Sequence, residues 1–449
     1  MRHFWIALAS AIAAGSPAIA EQLSRPVALG VTGIADQTHK GVRIQTLLDD
    51  HGGKSLGLRV DDVLLAVDGQ PTPDMPTLAG IIAAKSAGAP IRLEIDRGGA
   101  RRALTGKAPE RPRERFANGV ADYGAVAFKG GLLRDIMATP AGGAKGPVLF
   151  LVQGYTCDPV ETASPESAHR QLIDGLLARG ISTYRVEKPQ AGDSRGGPSC
   201  LASDFETEMA AFRAGYDALV TKRGIAPERI FILGHSMGGI EAPLLAQYRA
   251  PAGVAVYGTA VRNWQDYMLD VLRLQGFVGA SEDPVVGEGR SETMRSILHD
   301  FFNTRQTPAQ IAAAAPENGK LLREYLAWDG GTQIYDRHYS FWQGLAAQRL
   351  VSTWRDVKSN VLSIYGESDV EAISSADQRM IVDIVNHYRP GSARFIEIAR
   401  TGHGMRIDGS PQEVRRARAA GTWPPADRRF NPAIVETIGD WIDATYVRR

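Results

Sequence analysis

The sequence predicts an α/β protein built on a parallel sheet and preceded by a small β-rich module. Three observations carry this. From Pro147 onward, short continuous apolar runs alternate with helix-length segments, the βαβ pattern of parallel strands joined by right-handed crossovers. Within that region Arg229–Gly239 reads as strand, sharp turn and helix. Before Lys107 the chain instead carries four short strand-like runs and one helix, and a polar, proline-containing stretch divides the two regions.

A chain of 449 residues suggests two or three domains, and 44% apolar with 22% charged residues leaves ample material for real cores. Residues 1–20 carry Arg2 and His3, an apolar run from Phe4 to Ala14, and Ala18-Ile19-Ala20 before Glu21. This is the pattern of a secretory signal peptide cleaved near Ala20, and it implies a periplasmic or secreted protein. The run is too short to span a bilayer, and no later segment is apolar and long enough to be a transmembrane segment. No cysteine lies near the cleavage point to take a lipid anchor. Removing Arg2 with the leader leaves equal numbers of basic and acidic residues, which argues against nucleic acid as a partner.

Residues 21–107 form the β-rich unit. Strands are expected at Val27–Val31, Val42–Leu47, Val63–Val67 and Ile91–Ile95, with a turn at Asp68-Gly69 and a helix over Thr77–Lys85. The stretch from Gly57 to Pro71, Gly-Leu-Arg-Val-Asp-Asp-Val-Leu-Leu-Ala-Val-Asp-Gly-Gln-Pro, resembles the core signature of PDZ domains. Ala28-Leu29-Gly30-Val31 stands where that family has its Gly-Leu-Gly-Phe carboxylate loop. The resemblance implies a peptide or protein C-terminus as partner, added as a strand to a sheet edge. The alternative is a module that only docks on the domain behind it.

Residues 108–118, opening Ala-Pro-Glu-Arg-Pro-Arg-Glu-Arg, read as a linker, and residues 119–449 as the main domain. There, two strands are expected around Lys129-Gly130-Gly131, followed by strand Pro147–Val152, helix Ser167–Arg179, strand Ile181–Val186 and helix Asp204–Lys222. The apolar run from Arg229 ends in Gly234-His235-Ser236-Met237-Gly238 and continues as a helix. A serine at so sharp a turn takes a strained backbone and needs small residues two places to either side. Gly192-Asp193-Ser194-Arg195-Gly196 fits the same spacing, but its preceding strand ends too early and Gly197-Pro198 follows where a helix should start, so Ser194 reads as a loop serine.

By this motif in its context the chain resembles the α/β-hydrolase family, with Ser236 as nucleophile. The resemblance implies an α/β-hydrolase fold with a helical cap insertion at about 259–356. There the alternation stops and helix-like segments at Trp264–Leu274, Ser291–Phe302 and Phe341–Trp354 carry Trp264, Trp328, Trp342 and Trp354, most of them expected in the cap core. Alternation resumes with Asn360-Val-Leu-Ser-Ile-Tyr-Gly-Glu-Ser-Asp, then helix Ser374–His387 and strand Ala393–Ile398, and Pro432–Ala444 closes the chain as a helix.

A serine hydroxyl needs an imidazole to take its proton and a carboxylate to hold the imidazole, in this family in the order Ser, acid, His. Of the histidines after Ser236, His299 and His338 fall in the cap and His387 within a helix, whereas His403 lies between two glycines beyond the last strand. His403 is the expected base. Gly366-Glu367-Ser368-Asp369 matches the family's acid turn and selects Asp369, with Glu367 and Glu371 read as solvated loop charges. The resemblance further implies an oxyanion hole formed by the backbone N–H groups of Met237 and of Tyr155 in Gln153-Gly154-Tyr155, where Gln153 replaces the usual His. It also makes the strands before Cys157 and Cys200 neighbours, so an exported chain is expected to join them as a disulfide.

These expectations amount to an exported serine hydrolase acting on a carboxylic ester, with no cofactor and no metal. The nearest alternative is a serine aminopeptidase-like enzyme, for which a cap acid such as Glu324, Asp329 or Asp336 would face the substrate amine. A different class is a non-catalytic binding protein that uses the hydrolase fold as a scaffold for the PDZ-like unit.

Overall fold

The computed structural model describes residues 23–48, 51–162, 164–425 and 428–446; the expected signal segment lies outside them. The N-terminal part is an antiparallel sheet of β1 (Val31–Asp36), β2 (Gly41–Leu47), β3 (Val63–Val67), β4 (Gln70–Pro71), β5 (Pro90–Arg97) and β6 (Ala100–Lys107), with α1 (Gly52–Ser55) and α2 (Met75–Ala83). The strand order is β1-β2-β3-β5-β6, with β4 on β3. Val42, Ile44, Leu64, Val67, Leu93 and Ile95 fill its core together with Leu78 and Ile82 of α2. Two strands differ from the expected pattern. The first begins only at Val31, because Pro26 and Val27 make isolated bridges to Ser86 and Glu110, and Gly30 turns the chain with φ at +69°. β6 is missing from the sequence pattern because it is exposed along almost its whole length, yet it pairs with all of β5 from Pro90 opposite Lys107 to Arg97 opposite Ala100.

The larger sheet contains β7 (Gly119–Phe128), β8 (Gly131–Pro140), β9 (Val148–Val152), β10 (Ser182–Val186), β11 (Arg195–Gly196), β12 (Ile230–His235), β13 (Gly253–Tyr257), β16 (Asn360–Gly366) and β17 (Ala393–Ile398). Their order is β11-β8-β10-β9-β12-β13-β16-β17, with β7 on β8. From β10 to β17 every pairing is parallel. The unbroken apolar runs follow from this, since alternate residues serve two cores. Phe150, Ile232, Val254 and Val256 face α4 (Phe205–Thr221) and α5 (Gly238–Tyr248), while Leu149, Leu151, Phe231, Leu233 and Ala255 face α3 (Ala168–Ala178) and α14 (Ala433–Thr445). Helix α4 starts where it does because the Asp204 side chain accepts the Thr207 N–H, and it buries Phe205, Met209, Phe212, Tyr216 and Leu219.

Between β13 and β16 lie α6 (Trp264–Ala280), α7 (Pro284–Phe302), α8 (Pro308–Ala314), α9 (Pro316–Leu326), the hairpin β14 (Gln333–Ile334) and β15 (Arg337–His338), α10 (Tyr339–Ala346) and α11 (Leu350–Asp356). All four cap tryptophans are buried. Helices α8 and α9 escape the sequence reading because each is short and opens on a proline, which starts a helix as readily as it ends one. After β16 come α12 (Ala376–Tyr388) and, beyond β17, α13 (Pro411–Ala419).

The stretch expected as a linker does more than connect. Glu114 is buried and forms a two-pronged pair with Arg185, at 2.6 and 2.9 Å. Arg25, 2% exposed, reaches Glu161 at 2.7 Å and Asp193 at 2.8 Å, and Arg111 reaches Glu161 at 2.9 Å. The sequence shows none of these pairs because the partners lie from 50 to 168 residues apart. Breaking a buried pair from one side costs about 3–5 kcal/mol because the other charge is stranded. In Arg25→Ala, Asp193 keeps Arg111 and Arg134 and Glu161 keeps Arg111, so the urea unfolding free energy of the full chain is expected to fall by less than that, about 1.5–3 kcal/mol; a loss below about 1 kcal/mol would show that Asp193 and Glu161 do not depend on Arg25.

Candidate active site

Ser236 stands between the end of β12 and the start of α5 with φ at 56°, a left-handed backbone unusual for a residue with a β-carbon. The flanking glycines make room for it. A β-carbon on Gly234 would lie 2.2 Å from the Gly238 carbonyl oxygen, and one on Gly238 would lie 2.2 Å from the Val152 carbonyl oxygen. The Ser236 N–H is held by the Tyr257 carbonyl at 2.9 Å. Parallel register sets Gly234 opposite Val152, so the segment Gln153-Gly154-Tyr155 leaves β9 directly beside the serine. A β-carbon on Gly154 would sit 3.4 Å from Ser236 Cβ and 3.7 Å from its Oγ. Among the described residues, the N–H groups of Tyr155 and Met237 donate to no backbone carbonyl.

This loop is braced on several sides. Gln153 Nε2 donates to the carbonyls of Thr156 and Asp158, both at 3.4 Å, so the residue at the usual His position folds back on its own loop. Cys157 and Cys200 are joined, with Cα atoms 6.0 Å apart. Lys188 Nζ donates to the Gly154 carbonyl and Arg337 to the Tyr155 carbonyl, each at 2.6 Å.

Asp369 follows β16 and His403 follows β17, and the structure brings them together: His403 Nδ1 lies 2.9 and 3.0 Å from the two carboxylate oxygens. The Ala372 N–H donates to Asp369 Oδ1 at 2.9 Å, and Tyr257 Oη donates to the Gly402 carbonyl at 2.7 Å. Burial alone would lower the His403 pKa, but the Asp369 charge and hydrogen bond outweigh it and raise the imidazole above its ordinary 6.5. The neighbouring His235 is pushed well below 6.5, first by burial and then by His403 and His169. It stays neutral, and its Nε2–H donates to the His403 carbonyl at 2.9 Å.

The other candidates scatter. His299 bonds Asn303, His338 caps α10 and His387 lies on α12. Ser194 is buried with its Oγ accepting the Arg134 N–H at 2.9 Å, a structural role. Glu367 accepts the Arg400 N–H in an exposed loop. Glu371 instead lines the site. With Asp369 and His403 it forms a trio whose ligand atoms lie within 4.8 Å of one another, the composition of a metal site. The Asp369 oxygens are already engaged by His403 and the Ala372 N–H.

Two cavities meet at Ser236, Tyr155 and His403. One, of about 320 Å³, is walled by Trp264, Tyr267, Tyr335 and Trp342 under the cap, with Met268 and Glu371. The other, of about 480 Å³, is lined by more polar groups, among them Thr162, His169, Arg185 and His235. The arrangement suits attack by a serine oxygen on a carbonyl held between the two chambers.

Sequence reasoning misses Gly258. It has φ at +59°, and a β-carbon there would lie 2.5 Å from Asp369 Oδ2 and 2.9 Å from His403 Nδ1. A glycine after a strand is visible in sequence, but its closeness to Asp369 and His403 is not. Misplacing a reacting group by about 1 Å costs roughly 10²-fold in rate. Gly258→Ala is expected to lower nitrophenyl ester turnover by at least about that factor in protein that remains folded by circular dichroism; unchanged turnover would show that the pair tolerates a methyl group.

Comparison with known proteins points the same way as the topology. The model of the alpha/beta hydrolase family matches residues 163–417. A multifunctional-autoprocessing repeats-in-toxin of Vibrio vulnificus is 29% identical over 222 residues, 47% of this chain and 4% of the toxin. Esterase EstD of Thermotoga maritima is 25% identical over 178 residues, 39% of this chain and 40% of EstD. The chain thus spans less than half the length of these curated relatives. Among solved structures, Est1E from Butyrivibrio proteoclasticus is 14% identical with a TM-score of 0.43, covering 73% of this chain and 99% of that one. A thermostable carboxyl esterase from Bacillus coagulans is 11% identical with a TM-score of 0.42, covering 73% and 99%. Because the family model extends over more than half of its length, the chain belongs to the alpha/beta hydrolase family.

Proposed function

We propose that this protein is an exported serine hydrolase that cleaves a carboxylic ester through an acyl-serine intermediate. The observation that carries the reading is that a left-handed Ser236 lines the same two cavities as His403, whose Nδ1 is bonded to Asp369. Ser236 Oγ attacks the ester carbonyl carbon while His403 Nε2 takes its proton. The tetrahedral oxyanion is held by the N–H groups of Tyr155 and Met237, the second at the positive end of α5. Collapse breaks the bond to the alcohol oxygen, which leaves with the proton from His403. Water, activated by the same imidazole, then releases the acid and restores Ser236. The aromatic walls of the smaller cavity favour a bulky apolar or aryl group on one side of the ester. The name of EstD supports an ester as the bond.

A second reading, an aminopeptidase-like enzyme, has one specific support. Glu371 is the one carboxylate among the described residues lining the aromatic cavity, where an ammonium would need a partner. The cap acids do not serve: Glu324, Asp329 and Asp336 line neither cavity, and Asp329 accepts the N–H groups of Gly331 and Gln333. Nitrophenyl esters compared with aminoacyl-nitroanilides separate the two readings, and faster turnover of the anilides would reverse the order proposed. For the N-terminal unit we retain the PDZ-like reading. β1 ends its sheet and packs beside α2, an edge suited to an added peptide strand.

The raised His403 pKa sets the pH dependence. The imidazole accepts a proton only when neutral, so activity rises with pH through the raised value, and the acid limb of kcat/KM is expected above pH 6.5. Asp369→Asn removes the raising charge and leaves the burial, so the limb should move down and kcat fall roughly 10⁴-fold. A wild-type limb below 6.5, or one that Asp369→Asn leaves in place, would contradict His403 as the base.

A further inference from the structure

Beneath the oxyanion loop lies a cluster of charges that the mechanism above does not use. Lys188, just past β10, has a fully buried side chain, and its Nζ sits 2.8 Å from Glu208 Oε1 of α4. Arg337 of β15 reaches Glu208 Oε2 at 2.6 Å and stacks over Phe341 at 3.8 Å. Glu241 of α5, also fully buried, lies against Glu208; burial first, then the Glu208 charge, pushes its pKa well above the usual range. Buried ions are costly and persist where they are paired and hydrogen-bonded. Here the spare donors of both cations go to consecutive backbone carbonyls, Lys188 to Gly154 and Arg337 to Tyr155.

The consequence follows from peptide geometry. The Gly154 C=O and the Tyr155 N–H belong to one planar peptide unit, which is trans, so the two bonds point in opposite directions. A lysine that pulls the Gly154 oxygen into the protein turns the Tyr155 N–H outward, toward the cavity it shares with Ser236. We infer that Lys188 is a positioning residue for the oxyanion hole: it aims the Tyr155 N–H by gripping the carbonyl of the same peptide, and Glu208 holds the lysine in place. Arg337 adds a hold from the cap on the next carbonyl. The inference rests on the acyl-transfer reading, and its effect belongs to the transition state, where the oxyanion exists, and not to ground-state binding.

The test compares wild type with Lys188→Met and Lys188→Gln, both of which leave Glu208 its partner Arg337. Turnover of p-nitrophenyl butyrate is measured per active site by burst titration, beside affinity for butylboronic acid, which forms a tetrahedral adduct on the serine. Loss of a single oxyanion donor lowers kcat by about 10²–10³-fold. That loss is expected, with KM within about twofold, boronate affinity at least about tenfold weaker, and the acid limb of the pH profile unmoved because His403 is untouched. A merely structural role would lower the unfolding temperature or the active fraction and leave kcat per active site and boronate affinity as they were. That result overturns the inference, as does failure of both variants to fold, which would make Lys188 a determinant of the fold. If wild type itself turns over no ester and takes no boronate, it is the acyl-transfer reading that fails.

Discussion

The left-handed backbone at Ser236 is the constraint on which the rest of the site depends. Such a conformation costs about 1–3 kcal/mol for a residue with a β-carbon, and it persists only when its surroundings hold it. Here β12 enters the turn fixed between β9 and β13, α5 leaves it with glycines at both close approaches, and the Ser236 N–H is tied to Tyr257. The same residue extends the hold to the His403 loop, since Tyr257 Oη also donates to the Gly402 carbonyl, one residue before His403. Ser236 and the loop that carries His403 are thus fastened to one strand, β13. Gly258, which ends that strand, leaves the space in which Asp369 and His403 meet.

A second principle is the use of buried charge to orient backbone. Glu208 with Lys188 and Arg337 forms a buried ionic group on one side of the sheet, and Glu114 with Arg185, beside Arg25, Asp193 and Glu161, forms another. Neither is favourable as a source of stability alone, because the desolvation of buried ions offsets much of their attraction. Both border the cleft: the first grips the carbonyls of the loop beside Ser236, and Arg185 and Glu161 of the second line the larger of the two cavities at Ser236. The N-terminal segment, through Arg25, therefore bears on a wall of the cleft although it supplies no group to the acid–base pair.

What the sequence made legible was local. The spacing of Gly234, Ser236 and Gly238 after an apolar run is a steric requirement written in neighbouring residues, and the structure places a left-handed serine there. Asp369 and His403 were picked because each follows its own strand in a parallel sheet, where loops converge at one edge, and the structure bonds the two to each other. The unread parts have partners far along the chain. Lys188 and Gly154 are 34 residues apart, and Arg337 and Tyr155 are 182 apart, so no window of sequence contains the pair. Glu371 read as a solvated loop charge because an exposed acid on a loop carries no mark of the cavity beside it. β6 failed for a different reason: a two-sided exposed edge strand has no apolar alternation to detect.

The central claim is that Ser236 carries the acyl group. Acid-quenching the protein during steady-state turnover of a nitrophenyl ester, followed by mass spectrometry of its peptides, tests this most directly. The account predicts one acyl group per chain, on the peptide and at the residue Ser236, and none in Ser236→Ala. An adduct on any other residue, or ester turnover that survives Ser236→Ala at the wild-type rate, would contradict it.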